Sequence, residues 1–181
     1  MNKILIKLGI ICISSFMLLS CSSPQLKNYT NTTPTLDLTQ FFDGELVAYG
    51  MVLNRSGELT RRFNVVLNAS WQGNKGIIDE QFLFDDGEKS TRVWKLTKTD
   101  DNRYQGSAGD VIGIAYGETS GSVLHWQYDM TINVDGTDYE VTLDDWMYLI
   151  DDNRLFNKTD IIKFGLKVGE LILYIEKVPS E

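Results

Sequence analysis

His125 is the only histidine in the chain. Any Ser-His-Asp device would therefore have to be built on it, and a site with several histidine ligands is excluded. It stands near Gln127 and Asp129 with no nucleophile-elbow pattern beside it, which reads as a polar side chain on a sheet face. Four acidic pairs, Asp85-Asp86, Asp100-Asp101, Asp144-Asp145 and Asp151-Asp152, have the composition needed for metal binding or acid–base work. Three of them fall in turn sequences, where aspartate is favoured because its carboxylate bonds nearby backbone. None belongs to the ligand-dense loop that calcium requires. Asp144-Asp145 and Asp151 differ, because they bracket the run Trp146-Met147-Tyr148. Either their carboxylates hold a structural corner by bonding backbone amides, or Asp144, Asp145, Trp146 and Tyr148 face a ligand. Arg62, Glu80, Arg92 and Glu170 place charge inside segments that otherwise supply apolar residues. The fork of Arg62 or Arg92 matches the two oxygens of a fatty-acid carboxylate or a phosphate, and can equally pair with a glutamate of the fold. No catalytic set, metal-ligand set or cofactor motif emerges. Gly106, Gly109, Gly113 and Gly117 lack dinucleotide-binding spacing and precede no helix, so they suit a bulge or sharp bend instead.

Cysteine chemistry is confined to the N-terminus. The first twenty residues combine Lys3 and Lys7, the apolar run Leu8 to Leu19 and the small residue Ser20 before Cys21. The run is shorter than the ~20 apolar residues of a membrane span, so it reads as an export signal. Leu18-Leu19-Ser20-Cys21 resembles the lipobox of bacterial lipoproteins, with Leu19 replacing the usual small residue. Cleavage between Ser20 and Cys21 would leave Cys21 as the new N-terminus, carrying acyl chains such as palmitate. One acyl chain anchors only marginally, so durable attachment needs several. Ser22, by resemblance to the Gram-negative sorting rule, directs the product to the outer membrane, facing the periplasm. The other cysteine, Cys12, lies within the signal, which leaves the mature chain without a second thiol for a disulfide or a thiolate site.

The chain has 181 residues with 17 basic and 25 acidic side chains. The signal holds two of the bases and no acid, so the mature part carries 15 bases against 25 acids, a net charge of −10. That balance excludes nucleic acid as a partner and argues against electrostatic adsorption to anionic lipid. The acylated Cys21 is then the expected membrane contact.

These candidates must be positioned by a sheet. Residues 22–35 are polar, hold two of three prolines and read as part of a lipidated, flexible N-terminal tether spanning 21–38. No proline interrupts 35–178, as expected where every strand must donate to a ladder. Short β-rich runs alternate with turn clusters, predicting strands near 44–53, 59–71, 77–84, 89–98, 103–108, 111–117, 122–134, 137–143, 146–150 and 166–177. A short helix is predicted near 158–164, with Thr159-Asp160 as its cap. Asp135-Gly136 gives the strongest hairpin signal. In 122–134 the even positions Leu124, Trp126, Tyr128, Met130, Ile132 and Val134 are apolar and His125, Gln127 and Asp129 take the other face. In 59–71, Arg61 falls among Phe63, Val65 and Leu67, while Arg62 falls opposite. The expected architecture is an all-β, antiparallel up-and-down barrel over 39–181 with a partly polar interior.

The stretches Phe41-Phe42-Asp43-Gly44, Trp71-Gln72-Gly73, Asp110-Val111-Ile112-Gly113, Lys163-Phe164-Gly165 and above all Asp144-Asp145-Trp146-Met147-Tyr148-Leu149-Ile150-Asp151 resemble the Gram-negative lipoprotein family known as domain of unknown function 3833. The resemblance covers nearly all of the mature chain. It implies a lipocalin-like barrel and no established activity. The expected role is that of a binding module for an apolar ligand such as a lipid or fatty acid, and not of an enzyme. Two alternatives stand beside it: a solid barrel that docks an envelope partner near Trp146 and Tyr148, and an enzyme acting on membrane lipids.

Overall fold

The computed structural model describes residues 24–134 and 136–179. The signal sequence, Ser20, Cys21 and Ser22 lie outside the described residues, as does Asp135. A single turn of 3-10 helix, Leu26–Tyr29, and a one-turn helix α1, Leu38–Phe41, precede ten strands. These are β1 (Gly44–Asn54), β2 (Leu59–Gln72), β3 (Lys75–Phe84), β4 (Lys89–Asp100), β5 (Arg103–Ser107), β6 (Val111–Ser120), β7 (Val123–Val134), β8 (Thr137–Asp151), β9 (Arg154–Lys163) and β10 (Leu166–Lys177). Each strand pairs antiparallel with the next, and β1 pairs with β10 from Leu46↔Lys177 to Asn54↔Gly169, closing the barrel. Closure removes both free edges, which a proline-free sequence permits because every strand can donate on both sides.

Two segments differ from the sequence-based expectation. The helix expected over 158–164 is instead the second half of β9, paired to β8 and β10. Thr159, Ile161 and Ile162 are β-branched, and Leu155, Asn157 and Thr159 alternate inward with exposed Phe156 and Lys158, so period two wins over a weak cap signal. Thr159 bonds the Asp145 side chain and caps nothing. The two strands expected over 137–143 and 146–150 are one, β8. Asp144-Asp145 does not break it, because each carboxylate finds a side-chain partner on its own face of the wall, as described below.

The two ends of the barrel are unlike. One end is stoppered by the segment before β1. Leu36, Leu38, Phe41 and Phe42 are 2–5% exposed and belong to the core, although the sequence placed residues 36–38 in the tether. Asp37 caps α1 through the Thr39 amide and accepts from Lys98 Nζ at 2.9 Å and Tyr104 Oη at 3.2 Å. Its burial is outweighed by the Lys98 and Thr39 hydrogen bonds, which hold its carboxyl below the usual range. The Trp71 indole donates to Phe42 O at 2.9 Å, and Leu36 N donates to Gly121 O at 2.8 Å. At the other end lie the turns after β1, β3, β5, β7 and β9, where Asp110 of the β5–β6 link bonds Arg92.

Glycine shapes one wall. A Cβ on Gly117 would stand 2.0 Å from the Trp126 ring, and one on Gly106 2.8 Å from it, so these two glycines make room for the indole. Gly113 has φ +74° beside an irregularity in the β6–β7 register between Ile112 and Tyr116. It is the bulge that the glycine cluster suggests.

Candidate functional site

Strand alternation sends Phe63, Val65 and Leu67 of β2, Ile78, Glu80 and Phe82 of β3, and Arg92, Trp94 and Leu96 of β4 into the barrel, facing Trp126 and Tyr128 of β7 and Asp145 and Met147 of β8. Together they line an internal cavity of about 120 Å³. That is somewhat smaller than the ~150 Å³ apolar cavity that accepts benzene in an engineered protein. Slender or small apolar groups fit it without rearrangement. The aromatic walls interlock edge to face: Trp94 lies 5.9 Å from Trp126 at 77° and 5.3 Å from Tyr128 at 86°, a geometry that favours ring quadrupoles.

A belt of polar side chains crosses this apolar interior. Glu80 and Arg92 are direct cross-strand partners, and Arg92 Nη1 lies 3.7 Å from Glu80 Oε2, too far for a hydrogen bond. Arg92 spends its other nitrogens on Asp110, at the start of β6: Nε donates to Oδ1 and Oδ2 at 3.1 and 2.9 Å, and Nη2 to Oδ2 at 2.7 Å. Across the barrel the Asp145 carboxylate accepts from Thr159 Oγ1 and, at 3.5 Å, from Asn157 Nδ2. Glu80 Oε2 is enclosed and has no hydrogen-bond partner.

Burial dominates the electrostatics of the belt. It pushes the Glu80 carboxyl up to about 7 against the opposing charge of Arg92. It likewise pushes Asp145 up to about 6, although Thr159, Asn157 and Tyr128 bond the charged form. The Tyr128 hydroxyl is driven well above its ordinary value by burial and then by the neighbouring Asp145 charge. For Arg92, desolvation would lower the pKa, but Glu80, Tyr128 and Asp110 more than compensate and raise it. The belt thus holds one permanent base against three acids, two of which ionise reluctantly.

Of the six residues singled out as ligand contacts, Arg92 and Asp145 face the cavity. Arg62 does not: it lies on the outer wall, where Nε bonds Asp85 at 3.1 Å. Its neighbour Arg61 takes the inner register near the open end, stacked 3.5 Å over Phe84. Asp144, Trp146 and Tyr148 also face outward. Asp144 bonds His125 Nε2 at 2.5 Å, His125 stacks on Trp146 with ring centroids 4.4 Å apart, and Tyr29 covers Trp146 and Tyr148 at 6.4 and 6.1 Å. Glu170 is outside as well, bonded to Lys167 and 3.5 Å from Lys158. Sequence reasoning named Glu80 as an interior charge without placing it among the ligand contacts, and passed over Asp110, Tyr128 and Asn157 as site residues. Period two was the available signal for Glu80, flanked by inward Ile78 and Phe82. Tyr128 sat within the inward set of β7 but was counted as apolar. Asp110 bonds Arg92 across 18 positions of sequence, which no local pattern reveals.

A closed antiparallel barrel with a polar belt around an apolar cavity has the lipocalin-like design. The chain belongs to the family described as Protein of unknown function (DUF3833), which matches residues 15–177. Among solved structures it is similar to the S-type phycobiliprotein lyase CPES from Guillardia theta, with a TM-score of 0.56 and 9% identity over 87% of this chain and 100% of the other. At that identity the likeness concerns the fold alone. No curated protein matches.

Proposed function

We propose that the protein is an outer-membrane lipoprotein, anchored through acylated Cys21 and facing the periplasm, whose barrel binds a small, largely apolar ligand. The observation that carries the binding reading is the cavity inside the barrel, walled by Trp94, Trp126, Phe63 and Phe82 and furnished with a few convergent polar groups. Apolar walls with sparse polar contacts are the usual make-up of a small-molecule site. The similar lyase shares the barrel architecture. Binding without catalysis suits the residues present, since His125 stands on the outer wall and no thiol faces the cavity among the described residues. The alternative of a partner-docking face at Trp146 and Tyr148 loses its main support, because Tyr29 of the same chain already covers both rings.

Native mass spectrometry of the gently purified mature protein tests the reading. A reproducible bound mass is expected, lost when Leu67→Trp fills the cavity. Protein that is consistently free of bound mass, and does not respond to added apolar compounds, would overturn it. The anchor is tested separately: Cys21→Ala should move the protein from the membrane pellet to the soluble periplasmic fraction.

A further inference from the structure

Ligand choice in a barrel depends on what its buried polar atoms still lack. Arg92 is the interior cation that would greet an acidic ligand, but its Nε and Nη2 are committed to Asp110. Nη1, the remaining terminal nitrogen, faces Glu80 Oε2. A carboxylate or phosphate reaching Nη1 would compete with Glu80 for that charge and stand beside Glu80 and Asp145. Each acid would then lose stabilisation, as like charges repel strongly at low dielectric. The open valence belongs to an acceptor instead. Glu80 Oε2 is fully enclosed and unpartnered, and its side chain, 15% exposed, lines the cavity beside Trp94 and Tyr128. An enclosed carboxylate oxygen without a donor is costly, and a ligand that supplies one relieves that cost.

We propose that the cavity takes a ligand whose apolar body ends in a hydrogen-bond-donating head, cationic or neutral, set against Glu80 and Asp145, and that it rejects free fatty acids. This rests on the binding reading above and names the ligand class that the site prefers. The belt's charge supports a cationic head most strongly, with Arg92 and Asp110 cancelling and Glu80 and Asp145 left over. The groups that face Glu80 are Arg92 from β4, Asp110 from the β5–β6 link, Tyr128 from β7 and Asp145 from β8. Burial raises the Glu80 and Asp145 carboxyls toward neutrality. Affinity for an amine should therefore rise as the pH climbs through the range in which the two acids ionise, and affinity for a carboxylate should fall.

The test uses the full mature chain with Cys21→Ala, so that neither acyl chain nor detergent competes, and three ligands of one chain length that suits a cavity of about 120 Å³: butylamine, butanol and butanoate. Calorimetry, with Trp94 and Trp126 fluorescence as a second readout, should rank amine above alcohol above carboxylate at pH 7.5, the outer two differing by about tenfold or more, as one retained charge contact gives. Glu80→Gln keeps the shape and removes the charge. It should erase most of the preference for the amine over the alcohol, because the amide oxygen still accepts from either head but no longer offers a charge. Asp145→Asn provides an independent second variant with the same expected direction. Butanoate binding as tightly as the amine in the unsubstituted belt, or an amine preference indifferent to both substitutions, would overturn the proposal and leave the binding function standing. If none of the three ligands binds, both fall.

Discussion

The charged residues of the barrel occur in two settings, and the contrast between them shows which ones define the protein. On the outer wall Arg62 pairs with Asp85, and Lys158 and Lys167 surround Glu170. Water can serve either member of such a pair if the other is removed, so exposed pairs contribute little. In the interior, Glu80, Arg92, Asp110 and Asp145 occupy a belt whose members have few substitutes for one another. Desolvation there makes loss of the one cation, Arg92, expensive, while the belt as a whole need not stabilise the fold at all. Under the proposed function, an interior of this kind is retained for what it recognises.

The largest break in that contrast comes from Arg92→Met. Leaving Glu80 and Asp110 uncompensated should cost about 3–5 kcal/mol, seen as a melting temperature lower by roughly 10 °C in a domain of this size. Adding Glu80→Gln to that variant should recover part of the loss. A second substitution that made matters worse would show that Glu80 is held by something other than Arg92.

Glu80→Gln alone should stabilise the protein, and by more as the pH rises. The folded carboxyl titrates near 7 against a model value of 4.5, so the native state binds the proton more tightly than the unfolded chain. Stability from this group is fully present below about pH 4.5 and is lost as the pH rises through about 7. The gain from the substitution should be near zero at pH 4 and reach roughly 3 kcal/mol at most by pH 8. Urea denaturation at the two pH values measures it, and a gain independent of pH would refute the assignment.

Tyr29→Ala, which uncovers Trp146 and Tyr148, should cost about 1 kcal/mol for the lost aromatic contacts. It should also leave ligand binding unchanged, because that cluster lies outside the wall. A loss of ligand affinity would mean that the outer cluster and the cavity are coupled through β8. Arg62→Ala is the smallest change, with no resolvable shift in denaturation midpoint expected. A clear destabilisation would remove the distinction drawn between the two settings.

The stretch Asp144 to Tyr148 shows how far sequence reading reached. Its importance was legible from composition, two carboxylates beside a dense aromatic run, and it was named as a unit. Within one strand, however, neighbours face opposite ways. Asp145 enters the cavity while Asp144, Trp146 and Tyr148 form the outer cluster with His125 and Tyr29. Arg62 and Arg61 repeat the lesson on β2, where the alternation already placed Arg61 with the apolar set. The expected helix at 158–164 had only a capping pair to recommend it, and the β-branched period-two pattern of β9 prevailed.

What the sequence determined by itself was local: a proline-free run of alternating segments, turn residues at regular intervals, a glycine cluster where β6 bulges, and the family to which the chain belongs. These follow from preferences that each residue expresses with its neighbours in the chain. The tertiary structure alone decided that β1 closes on β10, that Leu36 to Phe42 stopper one end, and that Arg92 spends its fork on Asp110 while Glu80 Oε2 goes unpaired. Those outcomes depend on which residues meet across the barrel, and closure of the sheet brings them together from strands far apart in the chain.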